Sequence, residues 1–206
     1  MREASQTEVA ARAEALWQSA KRADPDHPYL VRKQIEPHSI RQIDDNLVVP
    51  LRLDCAIKSL QFISPAGEKK FMYGGRVAGC NFSLGIPRHT LLVAEGVATG
   101  CTLAEVLELG VSVAFNAGNL KSVAIDLARR YPQSRIIVCA DNDVRTVGNP
   151  GLRYAHEAAA AVGGKYIAPQ FSMRALVEPL SDWNDYRTRY GEGALRACFE
   201  EVRNVG

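Results

Sequence analysis

The sequence predicts an α/β fold in two parts: a smaller α+β part with antiparallel strands, then a mostly parallel sheet flanked by helices. Before residue 88, short β-prone runs are separated by turn residues, which is typical of hairpins. After residue 88, strands that are apolar on both faces alternate with helical segments, which indicates a parallel sheet covered by helices. We therefore predict a domain junction near residue 88, between residues 1–88 and 89–206.

The first part begins with a predicted amphipathic helix. From Ser5 to Arg22, apolar residues recur at helical spacing among charged ones, and the segment DPDHP ends the pattern. A short helix is predicted at YLVRKQ. Three β-prone runs follow, NLVVPLRL, IKSLQFI and KKFMYGG, and SPAGE between the last two carries the Pro and Gly of a hairpin turn. The segment CNFSLG is predicted to add one more strand to this part.

The second part alternates between predicted strands and predicted helices. The strands are HTLLVAEG, VSVAFNAG, SRIIVCAD and KYIAPQ, and the helices between them are ATGCTLAEVLELG, NLKSVAIDLARRYP and NPGLRYAHEAAAAVGG. Gly110, Pro132 and Gly163 mark the ends of those helices. This alternation predicts βαβ units, in which the carboxyl ends of the strands meet at one edge of the sheet.

Composition limits the class of protein without naming a function. The chain has 206 residues, a formal net charge of +2 and an apolar fraction of 47%, which are ordinary for a globular protein and too mild in charge to indicate nucleic-acid binding by themselves. Its five cysteines form no CxxC pair, which argues against a disulfide scaffold or a zinc module. No signal peptide or membrane span is evident. We therefore predict a cytoplasmic protein without a membrane partner.

Acidic residues follow two of the predicted strands. Glu95 follows LLVA, and Asp141 and Asp143 follow IIVCA. Functional side chains gather at the carboxyl ends of strands in open α/β sheets, so these three carboxylates share one crevice if the two strands are neighbours. The two-residue spacing puts both aspartates on one side, with Asn142 pointing away. The structural alternative is that Asp141 or Asp143 caps the helix that begins near Pro150.

Oxygen ligands without a nearby His or Cys set indicate Mg²⁺ or Mn²⁺ and not zinc. Mg²⁺ takes one or two protein carboxylates, keeps several waters and completes its shell with substrate phosphate oxygens. Asp141 and Asp143 fit that role. Glu95, on the other strand, is predicted to act as a general acid or base on a hydroxyl, or to hold a second metal ion.

At this constellation the sequence resembles the Toprim domain shared by bacterial-type primases, type IA and type II topoisomerases and some nucleases. The resemblance covers roughly residues 88–170, and it rests on one apolar strand that ends in Glu-Gly and another that ends in Asp-x-Asp. It implies that Glu95 is the catalytic glutamate and that Asp141 and Asp143 bind metal. It assigns residues 89–206 to a Toprim domain with a C-terminal helical extension.

Further blocks resemble the primase-type segment of primase-helicase proteins of phages, plasmids and integrated elements. They are HPYLVRKQI, the run from NLVVPLRL to CNFSLG, FNAGNL and SDWNDY. This resemblance implies a core that makes RNA primers on single-stranded DNA by Mg²⁺-dependent nucleotidyl transfer, with ribonucleoside triphosphates and a helicase domain or protein as partners. Because the sequence has no P-loop, any helicase is expected outside this chain, in a larger polypeptide.

Two further groups are candidate site residues. Asp185 in LSDWNDY is predicted to add a metal-binding carboxylate, by resemblance to a third acidic motif of primases, and the alternative is a helix N-cap at Ser181 or Asp182. A basic group in GEKKFMYGGR, beside two aromatic residues, is predicted to contact nucleic acid or nucleotide; it comprises Lys69, Lys70 and Arg76. The alternative for this group is an ordinary hairpin with solvated lysines.

Two other functions stay open from the sequence. The same fold and acids suit a metal-dependent nuclease that activates water. The chain also suits a non-catalytic module that docks DNA or a helicase. Cleavage of labelled DNA without nucleotides separates the nuclease from the primase, and a response to Mg²⁺ near the acids separates an enzyme from a docking module.

Overall fold

The structure is a computed structural model, and it describes residues 5–172, 175 and 178–200. The chain forms two compact units, of which the first ends at Phe82 and the second starts at Ser83. Each unit contains one five-stranded sheet. No helix within the described ranges is long and apolar enough to span a membrane.

The first unit is an antiparallel sheet with two helices. Its strand order follows the chain, β1-β2-β3-β4-β5. The strands are β1 (Lys21–Arg22), β2 (Arg41–Ile43), β3 (Asn46–Leu53), β4 (Ala56–Ile63) and β5 (Lys69–Phe71), and the helices are α1 (Gln6–Ser19) and α2 (Pro28–Lys33).

Helix α1 supplies one side of the first unit's core. A capping box starts it: the Ser5 N–H donates to Glu8 Oε2 (2.7 Å), and the Glu8 N–H donates to Ser5 Oγ (3.3 Å). Val9, Ala13 and Trp17 recur every four residues and are buried. They pack against a cluster on the sheet and its flanks that comprises Val48, Ile57, Leu60 and Met72. The amphipathic pattern of the sequence thus produces the predicted helix.

Two tight turns connect the long strands of this sheet. Between β3 and β4, Asp54 and Cys55 both have positive φ (48° and 67°), which is the two-residue hairpin turn that suits the right-handed twist of paired strands. Between β4 and β5, the segment predicted as a turn is closed by the Gly67 N–H, which donates to the Ser64 carbonyl (2.8 Å). Gly67 has a φ of 95°, which favours glycine there.

The second unit is an α/β sheet of order β10-β9-β7-β8-β6. β7 runs parallel to both β8 and β9, and β9 runs parallel to β10. The strands are β6 (Phe82–Leu84), β7 (Thr90–Ala94), β8 (Gly110–Val113), β9 (Arg135–Cys139) and β10 (Lys165–Ile167). The helices are α3 (Val97–Leu107), α4 (Leu120–Arg130), α5 (Pro150–Ala161) and α6 (Trp183–Cys198), and a 3₁₀ turn (Ala117–Asn119) precedes α4.

The central strand of the second unit is buried on both faces. Leu91 and Val93 belong to a core with apolar residues of α4 and α5. The alternate residues Leu92 and Ala94 are equally buried, so helices and neighbouring structure cover the other face as well. The continuous apolar run at this strand therefore reflects two-sided burial, as predicted.

The strand β6 departs from the predicted organisation. The prediction placed CNFSLG with the first part, and the junction near residue 88. In the structure β6 is hydrogen-bonded beside β8 at the edge of the second sheet, and the first unit ends at Phe82. A three-residue strand carries too little pattern to specify its partner, because pairing depends on which edge the folded chain offers.

Candidate functional site

β7 and β9 are hydrogen-bonded neighbours in the second sheet. They run parallel, and Ala94 lies opposite Cys139 at their carboxyl ends. Glu95 directly follows Ala94, and Asp141 lies two residues past Cys139. The two acids therefore emerge from adjacent strand ends, which is the condition on which the predicted crevice depended.

The strand order makes this edge a topological switch point. From β7 the chain passes through α3 to β8 on one side, and from β9 it passes through α5 to β10 on the other side. In open α/β sheets, ligands bind in the crevice that forms where connections lead away in opposite directions. Glu95 and Asp141 follow the two strands that border this crevice.

Asn142 anchors the loop that carries the two aspartates. Its side-chain amide donates to the Pro169 carbonyl (2.8 Å), and its Oδ1 accepts from Asn149 Nδ2 (2.9 Å). Its backbone N–H donates to the Ser181 carbonyl (2.8 Å). The buried Asn142 side chain thus points into the protein, and three separate segments hold the backbone between Asp141 and Asp143.

Asp143 lies at the amino end of α5. Its Oδ2 accepts from the Gly151 N–H (3.1 Å), and its own N–H donates to Asn149 Oδ1 (2.9 Å). Asn149 is the N-cap of the helix. The capping alternative therefore applies to one oxygen of Asp143. A carboxylate has about four lone-pair sites, so this bond leaves acceptor capacity for a cation.

Gly151 is a site residue that the sequence reading missed. A Cβ at this position would lie 2.3 Å from the Asp141 carbonyl oxygen and 2.9 Å from Asp143 Oδ2. Only glycine lets the first turn of α5 approach the aspartate loop this closely. The order Asn149-Pro150-Gly151 indicates the start of this helix, because Asn favours the N-cap and Pro favours the first helical position.

The chemistry around Asp141 suits a hard cation. Its Oδ1 atom is shielded from solvent. Burial raises the pKa of the neighbouring Cys139 thiol well above its ordinary value, and the Asp141 carboxylate adds to the rise. Cys139 is fully buried in β9, before the aspartate loop begins. The donors at this edge are carboxylate oxygens, which Mg²⁺ and Mn²⁺ prefer.

Asp185 lies in the capping box at the start of α6. Its Oδ2 accepts from the Ser181 N–H (3.1 Å), and its N–H donates to Asp182 Oδ1 (2.7 Å). The bond from Asn142 to the Ser181 carbonyl places this helix start beside the aspartate loop. Asp182 is the N-cap, as the structural alternative expected. The metal-binding role of Asp185 stays a prediction.

No preformed cage of ligands accompanies these acids. In the ranges that the structure describes, no three His, Cys, Asp or Glu side chains are arranged to hold a metal ion. Mg²⁺ needs only one or two protein carboxylates and takes its other ligands from water and substrate. The fit of the site to Mg²⁺ therefore rests on the oxygen donors at the two strand ends.

The predicted basic group lies in the first unit. Lys69 and Lys70 are exposed on the edge strand β5, and Lys70 Nζ lies 3.6 Å from Glu68 Oε2. Arg76 is also exposed, and its Nε donates to the Ala78 carbonyl (2.9 Å). Tyr73 between them is 91% exposed. The exposed ion pair of Lys70 is weak, so a ligand can compete with it. Because all three basic side chains are exposed, they are accessible to a ligand.

The comparison with protein-family models decides the family. Residues 90–193, half of the chain, match the model of the Toprim domain. The chain belongs to the Toprim family. Glu95, Asp141, Asp143 and Asp185 all lie within the matched residues. The Toprim prediction made from the strand-end acids is confirmed.

A curated relative of this Toprim chain is a much longer protein. Over 123 residues the chain is 37% identical to a protein of Escherichia coli named DNA primase TraC. The match covers 55% of this chain and 12% of the relative. The chain therefore spans about an eighth of the length of that protein.

Solved structures share the Toprim fold and the preceding α+β part. The DnaG primase catalytic domain bound to single-stranded DNA aligns with a TM-score of 0.63 and 12% identity, over 95% of this chain and 79% of that one. The primase fragment of the bacteriophage T7 primase-helicase protein aligns with a TM-score of 0.58 and 15% identity, over 88% and 76%. The predicted fold class is confirmed.

Proposed function

We propose that this chain is a primase-type catalytic core that makes RNA primers on single-stranded DNA by Mg²⁺-dependent nucleotidyl transfer. The observation that carries the proposal is the pairing of β7 with β9, which brings Glu95 and Asp141 to adjacent strand ends of a Toprim unit. A relative named DNA primase and structural neighbours that are primase fragments support it. The substrates are ribonucleoside triphosphates.

Asp141 and Asp143 are the residues that would hold the metal ion, Mg²⁺ or Mn²⁺. A bound ion of this kind neutralises phosphate charge and stabilises the attacking and leaving oxygens of the transfer. Asp185 would add a carboxylate from the start of α6, next to the loop that Asn142 anchors. The three-sided anchoring of this loop keeps the two aspartates in place before substrate arrives.

Glu95 is the proposed general base. It is half-buried and follows a different strand from the one that precedes the two aspartates, so it is proposed to act on another atom of the reaction. Acceptance of the proton from the attacking 3′-hydroxyl is the step that a carboxylate performs there. Binding of a second ion is the other role open to it.

The basic group Lys69, Lys70 and Arg76 is proposed to contact the phosphates of the template or the nucleotide. Its members are exposed, and the aromatic Tyr73 beside them offers a face for a base. Phosphate contacts of this kind weaken as salt rises, because bound counterions are released on binding.

A helicase domain or protein is the proposed partner, and a mobile element the proposed genetic context. The helicase partner is supported by the structural neighbour that is the primase fragment of the bacteriophage T7 primase-helicase protein. The genetic context is supported by the sequence blocks that resemble primase-helicase proteins of phages, plasmids and integrated elements. Primer synthesis coupled to unwinding would place the core at the point where single-stranded template is exposed.

Primer synthesis by the purified chain tests the proposed function. With Mg²⁺, four ribonucleotides and varied single-stranded templates, we expect short RNA products. Glu95→Gln should reduce synthesis by about 100-fold or more, since a general base contributes about that much. Asp141→Asn should reduce it to a similar extent, because it removes a ligand of the ion that stabilises the reacting oxygens. Glu192→Gln is the matched control, because Glu192 is an exposed acid of α6. Equal synthesis by Asp141→Asn and the control would contradict the proposal.

Two added measurements identify the other functions if no primers form. Cleavage of labelled DNA without nucleotides, lost in Asp141→Asn, indicates the nuclease. Mg²⁺ titration followed by NMR reports on the site independently of activity. Shifts confined to residues near Glu95, Asp141 and Asp143 indicate a working metal site, and the absence of any response indicates a docking module.

A further inference from the structure

A cavity of about 460 Å³ lies at the β1–β2 edge of the first unit. Its lining includes buried apolar residues, Trp17 and Ile40, and a polar rim formed by Arg22, His38, Ser39 and Arg41. Small-molecule sites typically occupy about 300–1,000 Å³, so a nucleotide-sized ligand fits this volume. All of these residues belong to the first unit, whereas the acids that follow β7 and β9 belong to the second unit.

The cavity is lined by two positively charged side chains, Arg22 and Arg41. Arg22 and Arg41 are direct partners across the antiparallel β1–β2 pair. Like charges directly opposite each other in a sheet repel, because their Cβ atoms are only about 4.5–5.5 Å apart. Among the residues that the structure describes, no aspartate or glutamate lines the cavity to compensate them. An anionic ligand between the two guanidinium groups would convert this repulsion into attraction.

Arg41 is held in place before any ligand binds. Its Nη1 donates to the Trp17 carbonyl and to the Gln18 carbonyl, the latter at 3.5 Å. Its guanidinium carbon lies 4.6 Å from the centre of the Trp17 ring, a cation–π contact. A guanidinium fixed on one side by such contacts loses little freedom on binding, and its planar fork suits phosphate oxygens.

The turn at the mouth of the cavity adds donors. The Ile40 N–H donates to the Pro37 carbonyl (2.8 Å), which closes a tight turn with His38 and Ser39 at its tip. His38 has a φ of 47°, a left-handed conformation that non-glycine residues rarely adopt. Both tip residues are exposed on the cavity rim, where an imidazole and a hydroxyl can donate to an anion.

We propose that this cavity binds a phosphate-bearing ligand of nucleotide size. Arg22 and Arg41 contact the phosphate oxygens, Ser39 and His38 donate from the rim, and the apolar floor at Ile40 and Pro37 lies under the remainder of the ligand. A free nucleotide and a nucleotide unit of a single-stranded nucleic acid share this chemistry. None of its residues is among those proposed for primer synthesis, and all of them belong to the first unit.

Calorimetric titration of the full chain tests the proposal. Inorganic phosphate, ATP and a short single-stranded oligonucleotide are each titrated in EDTA, which removes Mg²⁺-dependent binding. Arg22→Ala should weaken binding of the phosphate-bearing ligand by about tenfold or more, the loss typical of a charge-assisted hydrogen bond. Arg12→Ala should leave binding unchanged, since Arg12 is an exposed arginine of α1 outside the cavity.

Thermal unfolding provides a second measurement. Its expected result is a higher Tm, which a misfolded variant would not show. Arg22→Glu replaces a repulsive cross-strand pair with an attractive one, so without ligand its Tm should rise by about 1–3 °C. Ligand should then no longer raise its Tm. Binding of ATP without the oligonucleotide assigns the site to a free nucleotide, and binding of the oligonucleotide assigns it to nucleic acid. No saturable binding, or binding that Arg22→Ala leaves unchanged, overturns the proposal.

Discussion

Asn142 and Asn149 together determine the shape of the aspartate loop. Asn149 Nδ2 donates to Asn142 Oδ1, and Asn149 Oδ1 accepts from the Asp143 N–H, so one side chain bridges both residues. Buried hydrogen bonds each contribute about 1 kcal/mol, and removal of one partner costs more because the other stays buried. The Asp-Asn-Asp stretch is therefore held by a network that also starts α5, and the conformation of the loop depends on the position of that helix.

Gly151→Ala should separate the aspartate loop from α5. The added methyl group would lie 2.3 Å from the Asp141 carbonyl oxygen, and neither backbone segment can yield without breaking hydrogen bonds. We expect a loss of about 1–3 kcal/mol in the free energy of unfolding, the usual cost of overpacking. Primer synthesis and Mg²⁺ affinity should fall with it. Urea unfolding and Mg²⁺ titration measure both effects.

Gly193→Ala is the matched control for that substitution. Gly193 lies in α6, and nothing lies within 4 Å of a Cβ built there. Gly193 lies two residues after the non-helical Gly191 (φ 84°), so the added methyl group should change the free energy of unfolding by no more than about 1 kcal/mol. Equal effects of the two substitutions would contradict the close approach at Gly151.

At the scale of elements, α6 is joined to α3 by polar side chains. Asn184 Nδ2 donates to Thr102 Oγ1 (2.8 Å), and Arg187 Nη1 donates to Glu105 Oε2 (3.3 Å). Asn184 and Arg187 are buried. Polar contacts of this kind determine the position of α6 along α3, because any other position leaves buried polar side chains without hydrogen bonds. The same helix starts beside the aspartate loop, so its register also determines where Asp185 lies.

Arg187→Ala should destabilise the second unit much more than Arg189→Ala, a substitution on the same helix. Loss of the arginine leaves Glu105 in a largely buried position without this partner, and broken pairs of this kind cost about 3–5 kcal/mol when fully buried. Since Glu105 retains some exposure, we expect about 2–3 kcal/mol by urea unfolding. Arg189→Ala is the control, because its ion pair with Glu178 is half-exposed and should contribute less than about 1 kcal/mol. Similar losses in both variants would contradict a specific role for the buried pair.

At the scale of the whole molecule, the edge strand β6 determines where the second unit begins. Leu84 is 4% exposed, and its Cδ1 lies 3.6 Å from a Cβ built on Gly100 of α3. Gly85 approaches the Leu109 carbonyl so closely that a Cβ there would lie 2.9 Å from its oxygen. The segment is thus packed into the second unit, although it precedes the junction predicted from the sequence.

Two fragments that differ only in this segment should differ in stability. A fragment of residues 80–206 keeps β6, whereas a fragment of residues 89–206 exposes the edge of β8. Burial of one leucine contributes about 1.5–3 kcal/mol, so the longer fragment should unfold at clearly higher urea. Circular dichroism during urea titration measures the difference. Equal midpoints for the two fragments would show that β6 adds nothing to the second unit.

The sequence by itself determined the local structure and the kind of chemistry. The apolar spacing of α1, the continuous apolar run of β7 and the turn at residues 64–68 each depend on neighbouring residues, so their elements could be predicted. The residue types at the strand ends, Glu95 and the Asp141–Asp143 pair, likewise indicated a hard metal and a Toprim domain before any pairing was known.

Only the tertiary structure decided which of these elements meet. The strand order that puts β7 beside β9, the pairing of β6 with β8 and the contact of Gly151 with the aspartate loop join residues that are distant in sequence or held by several segments at once. The pairing of Arg22 with Arg41 likewise depends on which strands lie side by side. The periodicity of apolar residues indicates which face of an element is buried. It does not indicate which other element covers that face, because long-range pairing depends on the packing of the whole chain.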